Sequence, residues 1–313
     1  MKIKDLTIIA LVLSAAACTP TPQSGKTDTP TSGELVIGVD ESYIPMMDTQ
    51  IYTFESIYKK AFIHPLYKPE AEIIQDLIND SIRSAVIGRD LTEKEKEYFK
   101  SKTHPAFVTK IAVDAVALIV NRENTDSLLT LGQVRNIFSG TDSTWKQVNG
   151  KNSAGTINVV FDNNGSANYR YMKEEVLKGA PLSKNAYAKH SNAEVIDYVN
   201  TNKNAIGVIS VAWLADRKDS LTQSFMEKVR VVAISEFESP DDISDYKKPY
   251  QAYIFTKAYP LRRDVYVIKL GTRSGLGAGF AAHLAGEKGQ LIIHKLGMVA
   301  AQSPVRMVEI KTE

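Results

Sequence analysis

The chain has 313 residues, of which 43% are hydrophobic and 24% charged, with a formal net charge of +2. That balance excludes a disordered chain, which combines few apolar residues with high net charge, and a polyanion binder, which gathers a basic excess on one face. At roughly 150 residues per domain the length suits about two domains, and the single cysteine, Cys18, excludes internal disulfides and zinc sites built on cysteine pairs.

Residues 1–17 place Lys2 and Lys4 ahead of an apolar run from Leu6 to Ala17. The run is shorter than the roughly 20 apolar residues that span a bilayer, so it reads as an export signal. The stretch Ser14, Ala15, Ala16, Ala17, Cys18 resembles a bacterial lipobox, with Ala15 where leucine is usual. Cleavage there would leave Cys18 as an acylated N-terminus anchoring an exported lipoprotein to a membrane, where two or more acyl chains hold durably. From Thr19 to Gly33 the chain is dominated by Thr, Pro, Ser and Gly, so residues 18–33 are expected to form a flexible tether.

Beyond the tether, strand-like and helix-like blocks alternate. Residues 34–39 form a β-branched run, 42–62 have helical spacing after Pro45, and 70–81 place Ile73, Ile74, Leu77 and Ile78 on one helical face. Residues 84–88 read as a strand and a capping box, Thr92 to Glu95, opens a helix. A long apolar strand covers 111–121, and a second capping box runs from Thr130 to Gln133. Strands follow at 156–162 and 205–210, with a capped helix over 191–200 between them. The alternation indicates an α/β protein with helices flanking mostly parallel sheets.

Common catalytic signatures are absent from the sequence: it has no Gly-x-Ser-x-Gly elbow, no phosphate loop ending in Gly-Lys-Ser/Thr, and no His-Glu-x-x-His zinc helix. The five histidines lack metal-ligand spacing, so neither a metal nor a cofactor is expected. Gly275, Gly277 and Gly279 mimic a dinucleotide fingerprint but misplace its third glycine, and close helix packing explains them better.

Residues 159–177 are more informative. A strand ends at Phe161, a polar turn from Asp162 to Gly165 follows, and Ser166 stands at a helix N-cap position. The free amides of such a first turn attract anions, with Asn168 and Arg170 adding donors. Ser42 and Tyr43 occupy another strand-to-helix turn, and Arg89 and Asp90 a third. Ligands of open α/β sheets sit beyond the carboxyl ends of strands, so the three turns are expected to converge on one crevice.

Residues 111–148 resemble the phosphate-binding proteins of the phosphate ABC transporter, through the Ala-x-Asp-Ala run at 112–115, the Leu-Thr…Gln…Ile-Phe-x-Gly run at 129–140 and Trp145-Lys146. Residues 205–214 and 280–300 resemble later landmarks of that family. The resemblance implies a type II periplasmic-binding-protein fold, two α/β lobes joined by two crossover strands, with lobe one at 34–112 and 250–313 and lobe two at 113–249. It implies ligand-binding roles for Ser42, Tyr43, Asp90, Ser166, Ala167 and Asn168; the residues themselves add Asp162, and Arg89 and Arg170 as sources of the positive charge that the family's missing arginine would supply. Ala167 and Asn168 stand where the family has Gly and Thr; Pro69, Glu70 and Ala71 replace a hydroxyl-bearing helix start, and Asp162 replaces an arginine.

A carboxylate in such a pocket accepts a hydrogen bond from protonated phosphate but meets only a lone pair on sulfate. Asp90 is the first candidate for that discriminator and Asp162 the second. The expected function is a non-enzymatic, membrane-anchored, monomeric protein of the cell envelope, facing the periplasm. It captures inorganic phosphate and delivers it to an ABC permease, with no nucleic-acid partner. The alternatives are a binder or sensor of a different oxyanion and, last, an enzyme acting on phosphate esters.

Overall fold

A computed structural model describes residues 28–102, 104–214 and 227–302, so the export segment and Cys18 lie outside the described residues. Strand β1 (Ser32–Asp40) runs into a single turn, Glu41–Tyr43, and then α1 (Ile44–Ile57), with Pro45 in its first turn where no helical N–H bond is lost. Next come β2 (Lys60–Lys68), α2 (Glu70–Ile78), β3 (Ser84–Ile87), α3 (Glu93–Lys100) and the long β4 (Ala106–Asn121). The middle of the chain contributes β5 (Leu128–Thr130), α4 (Leu131–Ser139), α5 (Trp145–Val148), β6 (Asn158–Phe161) and α6 (Ala167–Tyr171), which continues as a π turn over Met172–Val176. It proceeds through β7 (Ala186–Ala188), α7 (Asn192–Thr201), β8 (Ala205–Ser210), β9 (Val229–Val231) and β10 (Ala233–Ser235). The last elements are α8 (Gln251–Phe255), β11 (Arg262–Leu270), α9 (Leu276–Ala285), α10 (Glu287–Lys295) and β12 (Val299–Ala300).

The main strand order is β2-β1-β3-β11-β4-β8-β6-β7, with β9 and β12 also pairing with β4 and a separate small β5–β10 pair. β4 belongs to both halves: its first part lies against β11 and its second against β8 and β9. Such a strand is covered on both faces, which explains an almost unbroken buried run from Ile111 to Asn121. β1, β2 and β3 are mutually parallel, as are β6, β7 and β8, but β11 pairs antiparallel with β3, and β4 pairs antiparallel with β11, β12, β8 and β9. The sheet is therefore mixed at its centre rather than mostly parallel throughout.

Two boundaries differ from the sequence expectations. The helix expected over 42–62 ends at Ile57, and its last residues open β2, whose Ala61 and Ile63 face inward while Phe62 and His64 face out. β2 pairs only with β1, and Pro65 is tolerated on such an edge because no ladder bond is needed on its outer side. Residues 28–33, assigned by composition to the tether, are docked. Asp28 accepts the Leu276 N–H at 2.7 Å, and β1 already starts at Ser32. Main-chain pairing needs no large side chain, so composition alone misjudged this segment. The glycines of α9 serve close packing: a Cβ on Gly279 would lie 1.8 Å from the Pro30 carbonyl oxygen.

Candidate functional site

The carboxyl ends of β1, β3 and β6 meet where the two halves face each other. Asp40, the last residue of β1, is fully buried and accepts three main-chain N–H groups. Its Oδ1 takes Ser42 N at 3.0 Å, and its Oδ2 takes Glu70 N at 3.0 Å and Ala167 N at 3.1 Å. Glu70 N belongs to the first turn of α2 and Ala167 N to that of α6, so two helix starts aim their unpaired donors at one oxygen. The arrangement is an oxyanion cradle drawing on both halves of the molecule.

Asp162, at the end of β6, is also fully buried. Ser166 Oγ donates to its Oδ1 at 2.6 Å, and the side-chain amides of Asn168 and Asn192 donate to its Oδ2 at 3.0 and 3.1 Å. Ser166 caps α6 as expected, receiving Tyr169 N at 3.1 Å. A buried carboxylate needs such donors, and two of the three, Ser166 and Asn168, come from the segment that the sequence marked.

Glu70, almost completely buried, accepts Gly88 N at 2.8 Å and pairs with Arg170, which also donates to the Gly88 carbonyl at 3.0 Å. Gly88 has no room for a side chain: a Cβ there would lie 2.7 Å from Tyr43 Oη and 3.0 Å from the Ala167 methyl. On the other side Arg263, from β11, donates to Asp114 Oδ2 at 3.0 Å and lies 5.3 Å from the centre of the Tyr43 ring. Ser210 Oγ donates to the remaining Asp114 oxygen at 2.9 Å.

The structure thus gathers Ser42, Tyr43, Asp162, Ser166, Ala167 and Asn168 into one buried cluster, and attaches Arg170 to it through Glu70. Arg89 sits at its margin, 3.6 Å from Glu70, but its guanidinium is held by both oxygens of Glu95 at 2.7 and 2.8 Å. Asp90 stays outside the buried cluster, accepting Leu91 N and pairing with Lys96 at 2.9 Å with its side chain 42% exposed, but it borders the same cavity as Arg89, Arg170 and Arg263. Sequence reasoning missed Asp40, Glu70, Asp114 and Arg263 as site residues. Asp114 was in view inside the Ala-x-Asp-Ala run, and its pairing with Arg263 follows from the β4–β11 register, which places the two residues opposite each other.

Four buried carboxylates in so small a volume are electrostatically costly. Burial, then the charges of Glu70 and Asp162, push Asp40 up to about 6 against the pull of Arg263. Glu41, half-buried beside them, is pushed up to about 7 by burial and by Asp162 and Asp40. Burial also raises Asp162 and Asp114, with Ser166 hydrogen bonding and Arg263 respectively opposing it. Among the described residues, Ser42 Oγ, Tyr43 Oη and Arg263 Nη1 are buried without a hydrogen-bond partner, so unused donors face this cluster. Beside it opens a cavity of about 530 Å³ whose lining includes Arg89, Arg135, Arg170, Arg262 and Arg263. No cluster of side chains able to hold a metal ion occurs among the described residues.

Two α/β halves sharing a long strand, with polar turns converging between them, define the two-lobed fold of the type II periplasmic binding proteins. The chain belongs to the PBP superfamily, whose domain model matches residues 24–288. It is 28% identical over 182 residues to the phosphate-binding protein PstS of Staphylococcus epidermidis, covering 58% of this chain and 51% of that one. Against the Staphylococcus aureus protein of the same name it is 28% identical over 195 residues, covering 62% and 55%. The chain therefore spans about half the length of the curated relatives it matches. Among solved structures it resembles a putative phosphate ABC transporter substrate-binding protein with bound phosphate from Clostridium perfringens, with a TM-score of 0.70 and 21% identity over 86% of this chain and 100% of that one. An ABC-type phosphate transport receptor from Vibrio cholerae gives 0.63 and 21% over the same shares.

Proposed function

We propose that this protein is an exported, non-enzymatic solute-binding protein that captures inorganic phosphate between its two lobes and delivers it to an ABC permease. The names borne by its relatives support that solute, and the N-terminal sequence supports a membrane anchor through acylated Cys18 facing the periplasm. In this reading lobe one comprises 34–112 and 250–313 and lobe two 113–249, and β4 crosses between them. The observation that carries the proposal is the convergence of Ser42 N, Glu70 N and Ala167 N, from three segments and both halves, on one pair of carboxylate oxygens. Amides so arranged suit any oxyanion, and a carboxylate acceptor, Asp90 on the cavity wall first and Asp162 second, favours a protonated one over sulfate.

The test is calorimetric titration of the full chain, extracted from membranes in mild detergent, with phosphate, sulfate and molybdate. Phosphate is expected to bind with one-to-one stoichiometry and sulfate not to compete; binding of another oxyanion without phosphate would refute the assignment. One observation favours a second reading, an oxyanion carrying an organic group: the arginine-lined cavity of about 530 Å³ beside the cradle exceeds the needs of a bare tetrahedral ion. A phosphate monoester in the same titration series separates the two.

A further inference from the structure

The cradle holds a carboxylate that belongs to the chain itself. Asp40 takes all three converging amides at 3.0 to 3.1 Å with no exposure to solvent, so an incoming oxyanion and the Asp40 side chain require the same donors. We propose that Asp40 is a built-in competitor, an internal ligand that the solute must displace, and that it sets the affinity of the cleft. The inference rests on reading the cradle as an oxyanion seat.

Three observations carry it. First, the donors come from two helix starts and one loop, and a tethered carboxylate presents itself to them at an effective concentration on the order of millimolar or above. Free solute binds only to the fraction of molecules in which Asp40 has left, which lowers its apparent affinity by that fraction. Second, the same carboxylate joins the two halves, because Glu70 N and Ala167 N lie on opposite sides of the cleft; leaving therefore also loosens their contact. Third, Ser42 Oγ, Tyr43 Oη and Arg263 Nη1 are buried beside Asp40 and lack hydrogen-bond partners among the described residues. These donors are surplus to a carboxylate with two oxygens and match an anion with four. The negative charges of Glu70 and Asp162 next to Asp40 further favour its departure.

The test compares the wild-type full chain with Asp40→Ser and Asp40→Ala, each checked for folding by far-ultraviolet circular dichroism, by calorimetric titration with phosphate and by thermal unfolding with and without formate. Both variants are expected to bind phosphate at least tenfold more tightly than wild type. Formate, a free carboxylate, is expected to raise the Tm of Asp40→Ala and leave that of wild type unchanged. Phosphate binding to wild type that neither folded variant improves overturns the inference while leaving the phosphate reading intact. Where no chain binds phosphate, a formate response confined to Asp40→Ala sustains the inference and removes phosphate as the solute, and no response overturns both.

Discussion

Asp40 links a single ionisation to the stability of the whole cleft. Its carboxyl, pushed up to about 6 from an ordinary 3.8, binds a proton more tightly in the folded chain than in the unfolded one. Stability from this group is therefore fully present below about pH 4 and lost as pH rises through 6, the reverse of a salt-bridged carboxylate. At 1.36 kcal/mol per pH unit the loss is about 2–3 kcal/mol. Urea unfolding of wild type and Asp40→Ser at pH 4, 5, 6 and 7 measures it. The difference between the two chains is expected to shift by that amount in favour of the variant as pH rises, and a pH-independent difference would contradict the environment assigned to Asp40. Glu41, pushed up to about 7, extends the same trend to neutral pH in both chains. The residues at this scale were only partly legible in the sequence. Ser42, Tyr43, Asp162, Ser166 and Asn168 followed from the rule that polar turns at strand ends converge, and Ala167 from the family resemblance alone. Asp40 and Glu70 did not, because acidic residues at an anion seat run against the electrostatic expectation that makes such a seat recognisable.

Elements marked by local signals were the most readable. The capping boxes at Thr92/Glu95 and Thr130/Gln133 and the Ser191 cap form as the side-chain pattern demands, since each is completed within four residues. β2 was hidden because its identity as a strand depends on β1, 28 residues upstream at the first paired position, and not on its own alternation interrupted by Pro65. The docking of residues 28–33 was hidden for a similar reason: its partners are Leu276 and Gly279, far along the chain. Gly279→Ala would bring a methyl group within 1.8 Å of the Pro30 carbonyl oxygen, and because that obstacle is backbone, α9 or the segment before β1 must shift. Overpacking of this kind costs typically 1–3 kcal/mol. Limited proteolysis is expected to cut the variant near residues 28–31 faster than wild type, with a lower Tm; equal cleavage rates would mean that the segment is not held by this contact.

The whole molecule is held across its cleft by a small set of polar contacts. Besides the Asp40 bonds, Ala71 N donates to the Gly165 carbonyl at 3.0 Å, Trp213 Nε1 donates to the Ser42 carbonyl at 3.2 Å, and Arg170 bridges to Glu70 and to the Gly88 carbonyl. Of these, the Arg170 bridge is the strongest candidate for a latch, because it neutralises a carboxylate whose side chain is only 3% exposed. Removing one partner of a buried pair leaves a charge without compensation and costs about 3–5 kcal/mol. Here Arg89, 3.6 Å from Glu70, and the Gly88 amide remain to share that charge, so Arg170→Ala is expected to cost less, about 1–3 kcal/mol. The loss falls on the contact between halves and not on either core, since neither Glu70 nor Arg170 belongs to an apolar cluster. Arg170→Ala is therefore expected to enlarge the radius of gyration measured by small-angle X-ray scattering while leaving the far-ultraviolet circular dichroism unchanged. Glu70→Gln, which keeps the acceptor for Gly88 N but removes the charge, is expected to produce a smaller expansion. An unchanged radius in both variants would show that the halves are joined by the Asp40 amides and the Ala71–Gly165 and Trp213–Ser42 bonds without help from the ion pair.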